Sequence, residues 1–350
     1  MRSVRVAVVA GAAGLALVPL PRSLVERWYA NGFYPRVQAL VTGASNAVPI
    51  ALFDILVAVA LVWYGWRFAA DAAARLSRWG GVVLRAVWRL LVAGAVLYVA
   101  FLVCWGLNYR RAPLADRLAF DANQATGPRA REVALAAVDE VNTLYGAAHA
   151  ADAAFSPAAF AQAFAAAERD LGVQRAAVPA WPKRSILDPY FRVAGIDGMT
   201  DPYFLETLVA SNLLPFERPF VVAHEWGHLA GFADESEASF VGWLACLHGA
   251  REAQYSGWLV LYNDIAADLG RADLREVTAR LAPGPRDDLR AVAARIRSQV
   301  SPVVSAGSWR VYDRYLKANR VESGTRSYGE FVRLVLGETF DPGWKPKLRR

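Results

Sequence analysis

The sequence predicts a mainly α-helical membrane protein: about three N-terminal transmembrane helices, then an α-rich second part with at most a small β-sheet. Three observations predict it. Of 350 residues, 55% are hydrophobic and 20% charged, against a soluble norm nearer ~25% charged. Mean hydropathy is +0.21, which excludes a disordered chain. The apolar runs of spanning length all fall before Arg111, and the remainder reads as amphipathic helices broken by Pro and Gly.

Residues 90–107 carry no charge over a length close to the ~18–20 residues a bilayer requires. Residues 47–66 are similar apart from Asp54, a charge tolerated near a span end if it meets the interface or a partner. Trp63, Tyr64, Trp66, Trp105 and Tyr109 stand near the span ends, where an interfacial aromatic belt places them. Residues 6–20 follow Arg2 and Arg5 and resemble the start of a signal peptide, but Pro19 and Pro21 stand where a small-residue cleavage site would be. A retained, short first span is the preferred reading. Either way, residues 21–48 are delivered to the outside.

Arg2, Arg5, Arg67, Arg75, Arg78, Arg85 and Arg89 fall on one side of this arrangement, and Arg22, Arg27, Arg36, Arg110 and Arg111 on the other. The positive-inside rule then puts the N-terminus in the cytoplasm and everything after Asn108 outside. The expected organisation is a membrane anchor over residues 1–110 and an extracytoplasmic domain over 111–350. The net charge of +7 sits partly in loops flanking the spans, so nucleic acid is not an expected partner. Cys104 and Cys246 lie in apolar or helical runs, which excludes a disulfide framework. The interruptions over residues 178–202 make 186–196 the expected place for a short strand.

Only four histidines occur, His149, His224, His228 and His248, and two of them form His224-Glu225-Trp226-Gly227-His228. Residues i and i+4 share one helix face, so both imidazoles reach one metal ion. Glu225 is placed to hold a metal-bound water and take its proton. Chance supplies about 0.004 such pentapeptides in a chain of this composition, so the pattern is read as a site. Gly231 permits an abrupt turn, and a second helix starts at once through Asp234-Glu235-Ser236-Glu237. Asp234 and Glu237 fit a capping box, which leaves Glu235 as the expected third ligand, with Asp234 and Glu237 as alternatives. His248 is read as a helix residue and His149 as plain surface. Two histidines, one carboxylate and an open fourth position suit catalytic zinc. The expected chemistry is peptide-bond hydrolysis by an activated water, with Glu225 as base. Tyr328, Tyr312, Tyr315, Arg192 and Asn212 are the candidate oxyanion donors.

The spans, Trp105-Gly106-Leu107-Asn108-Tyr109-Arg110, the stretch His224–Phe240, Tyr315-Leu316-Lys317 and Ser327-Tyr328-Gly329 together resemble an uncharacterised bacterial membrane family, domain of unknown function 3810. That resemblance implies a membrane-anchored zincin-type metalloprotease in the bacterial cytoplasmic membrane, with a peptide or protein as substrate. Glu235-Ser236-Glu237-Ala238-Ser239 is also similar to the Glu-x-x-Ala-Asp stretch of gluzincins. There the first Glu binds zinc, which again selects Glu235; Ser239 departs from that pattern. The competing reading is a non-catalytic zincin-like sensor, against which the intact Glu225 argues. An intramembrane protease is set aside because Glu217, Arg218, Asp234, Glu235 and Glu237 crowd the motif. An edge strand near the metal helix would align an extended peptide.

Overall fold

The computed structural model describes residues 2–74, 79–151, 153–321 and 324–349. Arg75 and Arg78, used above to orient the chain, lie outside the described residues. Helix α1 (Arg2–Leu17) stops before Pro19 and Pro21. After them α2 (Arg22–Leu24) runs through a π-helical stretch (Val25–Phe33) into α3 (Tyr34–Asn46), so Ser3–Leu17 and Arg22–Asn46 meet at 109°. The π-helical stretch brings residues five apart together: Tyr29 and Tyr34 stack with ring centroids 5.6 Å apart.

Helices α4 (Leu52–Ala74) and α5 (Trp79–Cys104) are long and apolar enough to cross a membrane, and the bent pair forms a third such element if taken as one span. At about 1.5 Å per residue they reach about 35 and 39 Å, more than the ~30 Å hydrocarbon layer. Both outrun the apolar stretches that mark them in the sequence, because charged residues at one end of the pair remain helical. Asp71 near the end of α4 binds Arg89 (2.6 Å) and approaches Arg85 (3.5 Å) on α5.

The rest is mainly helical: α6 (Gly127–Ala148), α7 (Pro157–Asp170), α8 (Asp188–Ala194), the strands β1 (Gly198–Thr200) and β2 (Thr207–Val209), α9 (Arg218–Leu229), α10 (Glu235–His248), α11 (Arg251–Asp268), α12 (Arg271–Arg280), α13 (Pro283–Gln299), α14 (Pro302–Ala318), α15 (Glu330–Gly337) and the short pair β3 (Phe340–Asp341) and β4 (Lys345–Pro346). Hydroxyls that accept a first-turn N–H set several starts: Thr126 for α6, Ser156 for α7 and Ser301 for α14. Trp226, Trp243, Tyr255, Phe164, Phe240 and Phe331 are fully buried between these helices. Val25, Tyr34, Phe101 and Trp105 belong to the same apolar core, so packing is continuous across residue 110.

The expected strand at 186–196 is a helix instead. Asp188-Pro189 starts α8 and Gly195, at φ 76°, ends it, the start and stop signals of a short helix. The strand lies just beyond, where β1 pairs antiparallel with β2 in the register Gly198↔Val209, Met199↔Leu208, Thr200↔Thr207. Lys183 lies along the other side of β2, its N–H donating to Thr207 O (2.8 Å) and its O accepting from Val209 N (3.1 Å).

Two carboxylates fasten the start of α4 to this region. Glu206 accepts from the N–H groups of Leu52 and Phe53 (both 3.0 Å), two of the donors every helix leaves unpaired at its start. Asp54 accepts from Ser185 Oγ (2.6 Å) and Ile186 N (2.8 Å). The charge near the span end is thus satisfied by protein. Glu206 is fully buried, and Lys183 compensates it with Nζ 2.6 Å from Oε1, while also donating to Ser45 O (2.7 Å). Removing one member of a buried pair costs about 3–5 kcal/mol. Lys183→Met is therefore expected to lower the melting temperature of the detergent-solubilised chain sharply, while Lys345→Met at the surface leaves it in place. Equal melting temperatures would contradict the tether.

Candidate metal centre

Helix α9 presents two faces. Phe220, Val222, Ala223, Trp226 and Leu229 are buried; Trp226 packs on Phe160 and Phe164 and donates from Nε1 to Ala180 O (2.8 Å). The other face carries His224 and His228, whose rings stand at 90° with centroids 4.8 Å apart. After Gly231 turns the chain at φ 85°, α10 returns against α9 at close range. A Cβ on Gly242 would stand 2.9 Å from His224 N, and one on Gly227 would stand 3.0 Å from Ala238 O. The two glycines therefore permit an approach that any larger side chain blocks.

That approach delivers Glu235, the first residue of α10, between the imidazoles. Its Oε2 lies 3.2 Å from His224 Nε2 and 3.3 Å from His228 Nε2. These three residues form a cluster of metal-capable donors, with their ligand atoms within 4.8 Å of one another. Donors bound tetrahedrally at ~2.0–2.1 Å stand roughly 3.3 Å apart, which the two carboxylate–imidazole separations match. The other ring nitrogens are held as metal-binding histidines require: His228 Nδ1 meets Phe232 O (2.8 Å) and His224 Nδ1 meets Ser239 Oγ (3.1 Å). The serine that departs from the gluzincin pattern thus still supports the first histidine.

Electrostatics follow from burial. Burial opposes ionisation of Glu235, yet the two imidazoles outweigh it and hold the carboxyl well below its usual range. Burial likewise opposes the His228 imidazolium, and the Glu235 and Glu225 carboxylates overcome this, pushing it up to about 9. The cluster favours a positive charge at its centre. Glu225 is displaced upward by burial, partly offset by His224, His228 and Thr200. Thr200 Oγ1 lies 2.8 Å from both Glu225 O and Glu225 Oε2, and a Cβ at Gly198 would fall 2.6 Å from Glu225 Oε1. Strand β1 therefore lies on the carboxyl group of Glu225. Asp197 O accepts from Ala210 N and Asp201 N donates to Glu206 O, so by antiparallel alternation the backbone groups of Gly198 and Thr200 point away from β2. Among the described residues, β1 pairs with β2 alone.

The remaining sequence candidates separate clearly. Asp234 is the N-cap, accepting from Ser236 N (2.9 Å). Glu237 does not reach back to complete a capping box; it is engaged by Leu114 N (2.5 Å), and burial raises it to about 7. His248 lies at the far end of α10, about 20 Å along the helix from Glu235, and meets Asp170 (2.8 Å). His149, read from sequence as plain surface, is exposed, with its ring 2.8 Å from Asp288 and tilted against Tyr145. Tyr145 is a local partner one helical turn away, whereas Asp288 stands 139 positions along the chain, beyond the reach of any sequence window. Of the oxyanion candidates, Tyr312 donates to Glu235 Oε1 and Tyr315 stacks on Tyr312 at 5.8 Å. Arg192 pairs with Asp188 and Asn212 with Gln299. The side chains of Ser327 and Tyr328 lie outside the described residues.

The residues behind the site were not singled out by the motif. The last carbonyls of α9 have no helical partner; Trp105 Nε1 donates to His228 O and Tyr34 OH to Leu229 O, both at 2.8 Å. Tyr109 meets Trp105 edge-on at 5.1 Å, and Arg111 binds both Gly231 O (3.0 Å) and Glu26 (3.0 Å). The segment Trp105–Arg111 thus forms the support of His228. Because the Gly242 position faces helix backbone, Gly242→Ala is expected to cost about 1–3 kcal/mol through overpacking. Gly270→Ala, with open space around it, serves as control. Equal unfolding free energies for the two variants would contradict the close-approach account.

No curated protein and no solved structure matches the chain. A family model does, over residues 29–336, described as a protein of unknown function (DUF3810). The match takes in α4, α5, Trp105–Arg111, the histidine pair and Glu235, and the chain belongs to the DUF3810 family.

Proposed function

We propose that this protein is a membrane-anchored zinc metallopeptidase with a zincin-like domain, and that His224, His228 and Glu235 are its metal ligands. The observation that carries the reading is the convergence of these three side chains, their ligand atoms within 4.8 Å of one another, with the carboxyl group of Glu225 beside them under β1. A zinc ion in that position supplies an acidified water and polarises a carbonyl oxygen.

The chain's own groups divide the remaining work. Glu225, raised by burial, accepts the proton of the attacking water and returns it to the leaving amine. The outward N–H and C=O groups of Gly198 and Thr200 pair with an extended peptide by strand addition, which lays the scissile bond along the carboxyl group that the same strand touches. The Tyr312 hydroxyl, now on Glu235, is the donor placed to meet an oxyanion near the third ligand. By the positive-inside rule the N-terminus is cytoplasmic and the domain extracytoplasmic, in a bacterial cytoplasmic membrane.

The full chain in detergent is expected to carry about one zinc, retained by Asp234→Ala and Glu237→Ala and lost by Glu235→Ala. Glu225→Gln should keep the metal while lowering cleavage of a peptide library by at least about 100-fold. Metal without cleavage in the parent chain would favour the sensor reading. No metal in the folded parent, with zinc supplied, would overturn both.

A further inference from the structure

Helices α8 and α14 form one lip of the site. Ser301 N donates to Val193 O (2.9 Å), and Tyr190 OH meets Ser308 Oγ (2.9 Å). From this lip Tyr312 reaches Glu235. The lip is fixed to both membrane-crossing helices. At one side, Asp54 in the first turn of α4 holds Ser185 and Ile186, immediately before α8. At the other, Phe101 in the last turn of α5 packs against Tyr315 of α14 at 6.0 Å. The lip therefore stands level with the ends of the two spans.

Its outer surface is apolar where a water-facing surface would not be. Tyr190 and Val193 on α8 and Ile186 in the turn just before it are exposed, Ile186 at 65%. On α14, Val303 is 81% and Val311 69% exposed, with Trp309 also outward. Arg310, Arg314 and Lys317 are exposed on the same helix. A tryptophan and aliphatic residues interleaved with cations are what an interfacial helix offers to acyl chains and anionic headgroups.

We propose that α8 and α14 are seated in the interfacial layer of the bilayer, continuous with the surface of α4 and α5. On the peptidase reading given above, this places the metal-ligand cluster near the membrane surface and selects peptide segments that leave the bilayer close to the protein. The occupant of the apolar surface itself is lipid.

The test uses the full chain in phosphatidylcholine–phosphatidylglycerol vesicles, with Cys104→Ala and buried Cys246 left in place. A bimane label is attached at Ile186→Cys, Val193→Cys, Val303→Cys or Val311→Cys, and lipid nitroxides sit either at the headgroup level or deep in the acyl chains. Leu61→Cys on α4 is the membrane-embedded reference. Glu132→Cys on α6, packed against α11 and α12, is the water-facing one. Quenching by the shallow nitroxide at least about threefold above that at Glu132→Cys is expected at the lip positions. Quenching equal to that at Glu132→Cys overturns the inference, as does strongest quenching by the deep nitroxide, the behaviour expected of Leu61→Cys. The readout needs neither metal nor substrate and is repeated with chelator, so its failure leaves the peptidase reading standing.

Discussion

The arrangement turns on one buried carboxylate. Glu235 is about 1% exposed, and a charge removed from water persists only where opposite charge or strong donors meet it. Two imidazole nitrogens and a tyrosine hydroxyl do so. None of these contacts forms unless α10 lies almost on the backbone of α9, and that requires glycine at 227 and 242. The turn between them demands Gly231 at positive φ, in a space where Asn108 and Arg111 leave no room for a Cβ. A local packing constraint thus becomes a constraint on electrostatics, and the electrostatics set the chemistry.

The same pair of helices ties the site to the membrane part. The C-terminal carbonyls of α9 are completed by Trp105, the residue after α5, and by Tyr34, which follows the π-helical stretch. The N-terminal donors of α4 are completed by Glu206, which stands at the turn between β1 and β2. Helix ends must find partners, and here the partners come from across the chain rather than from local caps. The helix of the histidine pair is thus completed from the end of α5, and the start of α4 from the β1–β2 turn, so a displacement of α5 acts directly on the backbone of His228.

How much of this the sequence discloses depends on the range of each interaction. The mainly helical composition and the two long apolar helices are legible because apolar runs and helical periodicity are local. Their ends are less so: α4 and α5 continue through charged turns that hydropathy alone cuts off. The placing of His224 and His228 on one face follows from i, i+4 geometry, and Gly231 announces the turn that returns Glu235 to them. The strand expected at residues 186–196 falls just beyond them, because the Asp188-Pro189 start and the Gly195 stop make that stretch α8. Thr200 and Gly198 are legible only once β1 is located, as both depend on where it falls. The contacts of Glu206, Trp105 and Glu237 join residues more than a hundred positions apart, and no sequence window contains them.

The central claim, that these three side chains hold a catalytic zinc, is tested most directly by X-ray absorption at the zinc edge on the metal-loaded full chain. The account predicts a first shell of light atoms only, about four in number, with the outer-shell scattering of two imidazoles, falling to one in His228→Ala. A sulfur neighbour, or an imidazole count unchanged by that substitution, would contradict it.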